Sequence, residues 1–178
     1  GTLALCGGAS ITAFPALHRV PCCSYLYTLP RAGRFDPGKA RALGIPVALW
    51  RTLQAGCPAG GFTPDQVLGP ARRGLRILYA TDTGPTEELC RQARGVGLLC
   101  MDATYADDAD APKARQYGHA TCRQAGALAA AAGARRLWLT HYSAAVTDPG
   151  PGLAAAAAAF PGAEAGADGK RAALRFEE

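Results

Sequence analysis

The chain has 178 residues, a formal net charge of +5 and 49% hydrophobic residues. That is the length of one ordinary domain with enough apolar side chains for a core, although much of the apolar share is Ala, which makes the expected core modest. No apolar run reaches the roughly 18 residues a membrane span needs, and no basic stretch followed by a long apolar one opens the chain, so neither a membrane protein nor a secretory leader is expected.

The seven Cys include no Cys-x-x-Cys pair, and Cys22 and Cys23 are adjacent. An odd set without paired spacing predicts single thiols in a reducing, intracellular setting and argues against a zinc ribbon. Charge is segregated. Residues 1–78 hold nine Lys or Arg against Asp36 and Asp65 only, a surplus of seven, while the remainder is slightly acidic. A basic first half suggests a polyanionic partner, nucleic acid above all, although scattered Arg residues also serve as plain solvated surface.

In chain order, residues 1–29 alternate apolar and small side chains and predict strands at Ile11–Leu17 and Tyr25–Leu29. Residues 30–74 are rich in Pro, Gly and Arg, with short helices predicted at Pro37–Leu43 and Leu49–Gln54, and read as an excursion from the main fold. From residue 75 the pattern changes. The apolar run Leu75–Thr81 predicts a buried strand, Glu87–Arg94 a helix and Leu98–Asp102 a second strand. Thr121–Ala132 predicts a helix stopped by Gly133; Leu137–Thr140 a strand, Leu153–Phe160 a helix and Lys170–Phe176 a last strand. Strands alternating with helices define an α/β layer architecture.

The only three histidines, His18, His119 and His141, each fall at the end of a predicted strand or the start of a helix, and Asp82 follows a strand directly. Ligands of α/β sheets collect at strand ends, where the backbone leaves the core for a cleft. Imidazole and carboxylate are the donors zinc accepts, and a carboxylate between two cations can bridge them. Taken singly, each position also suits an ordinary hydrogen-bonded residue or an Asx turn. Their joint occurrence carries the argument.

Longer segments make the pattern specific. His18-Arg19-Val20-Pro21-Cys22-Cys23-Ser24-Tyr25, Arg34-Phe35-Asp36 with Lys39 and Leu43-Gly44-Ile45-Pro46, and Gly74-Leu75-Arg76-Ile77-Leu78-Tyr79-Ala80-Thr81-Asp82-Thr83 follow in order. Then come Met101-Asp102-Ala103-Thr104-Tyr105, His119-Ala120-Thr121 with Gln124-Ala125, Leu139-Thr140-His141-Tyr142-Ser143, and Ala167-Asp168-Gly169. Over nearly the whole chain this series resembles the C-terminal half of the ribonuclease Z family, zinc-dependent endonucleases of the metallo-β-lactamase superfamily that trim the 3′ end of precursor tRNA. The resemblance implies an αββα sandwich, of which residues 1–178 would supply the C-terminal half, with residues 30–74 as a protruding, tRNA-gripping arm. It implies two zinc ions in the complete enzyme, with His18, Asp82 and His141 as metal ligands and Asp82 the bridge. His119 would be catalytic and Asp102 would stand behind the ligands. Arg31, Arg34, Lys39, Arg41 and Arg51 would meet RNA.

The sequence also departs from the family. The superfamily's His-x-His-x-Asp-His motif is not in these residues, Ser143-Ala144-Ala145-Val146 stands where the family has Ser-x-Arg-Tyr, Asp102 replaces a Glu, Thr81 a Gly, and Val47-Ala48-Leu49 a Pro-Gly-Pro. The remaining ligands are therefore expected from another part of a longer protein or from a second copy, and the isolated 178 residues are expected to be inactive. Two other readings stand beside this one: a non-catalytic half-domain that binds RNA or protein, and a different metallo-β-lactamase phosphodiesterase or sulfatase.

Overall fold

A computed structural model describes residues 1–177 of the chain. Its backbone forms one seven-stranded sheet in sequence order. The strands are β1 (Thr2–Ala4), β2 (Ser10–Pro15), β3 (Cys23–Arg31), β4 (Arg72–Ala80), β5 (Leu98–Asp102), β6 (Leu137–Thr140) and β7 (Ala163–Ala165). β1, β2 and β3 pair antiparallel, as short turns permit. β4 to β7 pair parallel, with Ile77 opposite Leu98 and Leu99 opposite Leu137. Each parallel step needs a crossover, and helices supply them.

Six helices accompany the sheet: α1 (Pro37–Ala42), α2 (Val47–Gln54), α3 (Glu87–Ala93), α4 (Ala111–Tyr117), α5 (Cys122–Ala132) and α6 (Gly150–Ala159). Their ends follow capping chemistry. The Thr86 hydroxyl accepts from the Leu89 N–H at the start of α3, Thr121 and Gln124 form a reciprocal capping box on α5, and Gly133 ends α5 in the left-handed conformation.

By chain contacts the molecule divides into two compact units, one of residues 1–29 and 75–175, the other of residues 30–74 and 176–177. In the first, one sheet face carries Phe14, Leu26, Leu78, Leu99, Met101, Leu137 and Leu139, all buried against the inner sides of α3, α5 and α6. Small residues set the spacing there: a methyl group placed on Gly126 of α5 would lie 2.5 Å from the Ala156 carbonyl oxygen, so only glycine lets α5 and α6 approach this closely. In the second unit Ala40, Ile45, Leu53 and Val67 form a small separate core flanked by Phe35 and Trp50.

The period-two alternation of strands puts a second apolar set on the other face of the sheet. Tyr25 is 47% and Tyr79 51% exposed there, and Ile11, Tyr27, Ile77 and Trp138 are half-buried. No helix of the first unit lies over these residues among those that share the core. A sheet with helices on one face and an apolar opposite face is half of an αββα sandwich, as the sequence implies.

Beside the unannounced short strand β1, two elements differ from expectation. The strand expected over Lys170–Phe176 is absent: residues 171–175 are irregular, and the sheet closes instead on β7. The Lys170 ammonium holds the chain in a turn by donating to the Ala165 carbonyl at 2.6 Å and meeting the Glu164 carboxylate at 3.1 Å. Leu174 then lies over the open face with Leu29, Ile77, Leu98 and Trp138 around a cavity of about 500 Å³. The second difference is α4, which the polar stretch after Tyr105 does not announce.

β7 is pinned by charge. Glu164 accepts from Arg136 at 2.8 Å and pairs with Lys170, and these hydrogen bonds, Arg136 first, lower its carboxyl below the usual range. An unfolded Glu164 binds its proton at a higher pH than the folded one, so the stabilisation is present above the ordinary carboxylate range and fades as pH falls through the folded value. Urea midpoints measured from neutral pH down to about pH 3 should therefore fall less steeply in Glu164→Gln than in the parent chain.

Candidate metal centre

Four loops at the C-terminal ends of β4, β5 and β6 and of α4 converge. Asp82, Asp102, His119 and His141 each place one donor atom within 4.8 Å of the others. Asp82 and His141 are the two described non-glycine residues with positive φ, at 53° and 62°. Asp82 stands two residues past the end of β4, and His141 directly follows β6. Left-handed backbone at such residues is costly, so surrounding structure must hold it, and it concentrates at functional sites. The His141 Nε2 and the Asp82 Oδ1 lie 2.9 Å apart, and both side chains are more than a third exposed to the cleft.

Asp102 is of another kind. It is fully buried at the end of β5. Its Oδ1 accepts from the Thr104 N–H at 3.0 Å, the Thr104 hydroxyl at 2.9 Å and the Ala120 N–H at 3.2 Å. Its Oδ2 accepts from the Thr83 N–H at 3.2 Å and meets the His119 Nδ1 at 2.8 Å. A buried carboxylate is tolerable when hydrogen-bonded in this way, and this one knits together the loops that carry Asp82 and His119.

His18 joins by its loop. The Leu17 N–H donates to the Thr83 hydroxyl at 3.0 Å and the Gly84 N–H to the Leu17 carbonyl at 2.9 Å. Gly118 has φ 77°, and a methyl there would stand 2.6 Å from the His18 Cα, so glycine is required where the two loops touch. The His18 ring lies 4.8 Å from the His119 ring, and His119 stacks on His141 at 5.3 Å. The His18 Nδ1 faces the Gly118 carbonyl at 3.3 Å, which leaves its Nε2 as a donor atom. All three histidines thus meet in one cluster, with His18 beside the four-residue group rather than within it.

Two imidazoles and two carboxylates are the donor set of a hard-to-borderline divalent ion. Cys122 and Cys100 take no part: burial pushes both up to about 11, so they stay protonated at neutral pH. In the second unit, Arg34, Lys39, Arg41 and Arg51 are exposed, with the Arg41 guanidinium 5.6 Å from the Trp50 ring. Arg31 is half-buried and its guanidinium lies 4.9 Å over the Phe176 ring, also within that unit.

Reasoning from sequence did not single out Thr104, whose hydroxyl touches Asp102, His119 and His141. Its signal was the two-residue step from Asp102, which places an Asx-type contact beside a strand end.

The fold is that of a metallo-β-lactamase domain. A sequence profile of the β-lactamase superfamily domain matches residues 61–142. The metallo-β-lactamase fold protein YhfI of Bacillus subtilis superposes with a TM-score of 0.60 at 17% identity, covering 93% of this chain and 49% of that one, a likeness of fold alone. The chain belongs to the metallo-β-lactamase superfamily. Within it, the sequence falls with ribonuclease Z. It is 37% identical over 180 residues to the ribonuclease Z of Lachnospira eligens, over 99% of this chain and 59% of that protein. It is 48% identical over 140 residues to that of Salinibacter ruber, over 75% of this chain and 43% of that protein. The chain thus spans about half the length of the relatives it matches.

The two carboxylates should separate cleanly in stability. Asp82→Gly relieves the left-handed strain and should leave the metal-free chain unchanged or stabilised by about 1 kcal/mol, while removing a donor atom. Asp102→Ala strands three buried N–H groups and should cost about 3 kcal/mol or more in chemical denaturation.

Proposed function

We propose that this chain is the C-terminal part of a zinc-dependent endoribonuclease that removes the 3′ trailer of precursor tRNA. The observation that carries this is the convergence of Asp82, His141, His119 and Asp102 at the strand ends, with His18 alongside. Zinc, when bound, would polarise the scissile phosphate and lower the pKa of the attacking water. Asp82 offers two carboxylate oxygens to the cleft and suits a bridging position, with His141 and His18 as imidazole ligands. His119, its Nδ1 engaged by Asp102, has Nε2 left to protonate the departing oxygen or steady the phosphate as a general acid.

Two ions need more donors than these residues provide. We assign the rest to the part of the relatives' length that this chain does not span, supplied by a longer protein or by a second copy. The second unit, with exposed Arg34, Lys39, Arg41 and Arg51, is assigned the grip on tRNA through phosphate contacts. The competing reading, a non-catalytic RNA- or protein-binding half-domain, is favoured by one feature, the Ala144-Ala145-Val146 stretch that lacks a phosphate-binding Arg.

The readings part on metal and turnover. The 178 residues alone should bind at most one zinc ion tightly and leave precursor tRNA uncut; addition of the remaining half from a ribonuclease Z relative should restore two ions and cleavage, and Asp82→Ala should abolish both. Cleavage-competent two-zinc binding by the chain alone would refute the division of the site. In the reconstituted protein, deletion of Arg34–Gly69 should weaken tRNA binding, flatten its salt dependence and spare hydrolysis of a small phosphodiester.

A further inference from the structure

The sheet face opposite the helices is not bare at one end. Past β7 the chain turns at Gly166, whose N–H donates to the Leu139 carbonyl at 2.7 Å, and again at Lys170. Residues 171–175 then lie over the sheet. Four strands line the cavity beneath them: Tyr27 and Leu29 of β3, Leu75 and Ile77 of β4, Leu98 of β5 and Trp138 of β6. Leu174 reaches the sheet at Gly97, where a methyl group would stand 3.3 Å from the leucine.

This cover is loosely made. Residues 171–175 have no regular structure, and among the described residues no backbone hydrogen bond holds them. Of the five side chains only Leu174 is half-buried; the others are exposed. The cavity measures about 500 Å³, whereas packed interiors leave few voids larger than a water molecule. The Trp138 indole N–H is buried and meets no acceptor among the described residues, a loss that finished interiors avoid. The root of the segment is firmer: the Lys170 ammonium donates to the Ala165 carbonyl at 2.6 Å and lies 5.0 Å from the Trp138 ring.

We propose that residues 171–175 form a displaceable strap, which shields part of the apolar face in the isolated chain and is pushed aside when the relatives' remaining half packs there. This rests on the reading above that such a half completes the site, but it concerns docking and not cleavage. The chain spans about half the length of those relatives, so the covering body is far larger than five residues with one large apolar side chain. Leu174 and an incoming partner cannot occupy the same patch. Docking therefore selects the strap-open form, and the apparent affinity is reduced by the fraction of chains that are open.

Two variants of the 178-residue chain move the strap in opposite directions. Leu174→Ala removes its grip, and Ala172→Leu adds apolar bulk over the same cavity and tightens it. Trp138 is one of two tryptophans, so in a Trp50→Phe background its emission reports the cover directly. That emission should shift to longer wavelength in Leu174→Ala and to shorter wavelength in Ala172→Leu. Calorimetry with the portion of a ribonuclease Z relative that this chain does not span should show docking about tenfold tighter for Leu174→Ala and about tenfold weaker for Ala172→Leu. Equal or weaker docking by a folded Leu174→Ala overturns the proposal, because a segment that belongs to the interface loses affinity when truncated. If Leu174→Ala does not fold, Ala172→Leu decides, and equal or tighter docking by it overturns the proposal. A relative's portion that binds neither form overturns it as well. So does a Leu174→Ala chain that only dimerises, which assigns the face to a second copy. The expected affinities in a complex that never cuts precursor tRNA would support the strap and dismiss the nuclease reading.

Discussion

The site depends on one buried anion. Desolvating a carboxylate costs several kcal/mol unless polar partners replace the lost water. Asp102 is fully buried, and three backbone N–H groups, a hydroxyl and an imidazole do so. Those partners belong to the loops after β4 and β5 and to the turn between α4 and α5. The charge therefore acts as a clamp: each loop must come to it, and in coming each brings a functional residue into the cleft.

Around that clamp the chain separates two kinds of work. The sheet and its helices make a rigid platform from small and branched residues, close enough at Gly126 and Ala156 that no side chain larger than hydrogen fits. The 30–74 unit has its own core and carries its charge outward, with Asp36 capping α1 and Lys39 and Arg41 in that helix's last turn, where cations suit the helix dipole. The candidate site and the exposed cations thus rest on different cores.

Most of the platform was legible in the sequence because its signals are local. Leu75–Thr81, Leu98–Asp102 and Leu137–Thr140 are apolar runs bounded by polar breaks, and Thr121 and Gly133 mark both ends of a helix. The histidines and Asp82 were legible because strand-end placement and segment resemblance agreed. β7 was not, since Ala163-Glu164-Ala165 has no β-branched or aromatic residue; its place comes from the Arg136–Glu164–Lys170 charge cluster, a tertiary effect. The strand expected over Lys170–Phe176 does not form, and the sheet ends on β7 instead. The role of Thr104 was invisible because it is set by which atoms meet across 37 residues, not by its neighbours in sequence.

The sheet's mixed pairing has a kinetic consequence. β1 to β3 can zip by hairpins, whose closure is fast, whereas β4 to β7 gain contacts only after helical crossovers have formed, and such non-local pairing is slow. Asp82, Asp102 and His141 all lie at the ends of the slow strands. The cleft is therefore among the last regions to assemble, and while it does, the apolar underside of the nascent sheet stands open to other chains. For a cell making this polypeptide, the hazard begins during synthesis and lasts until that underside is covered.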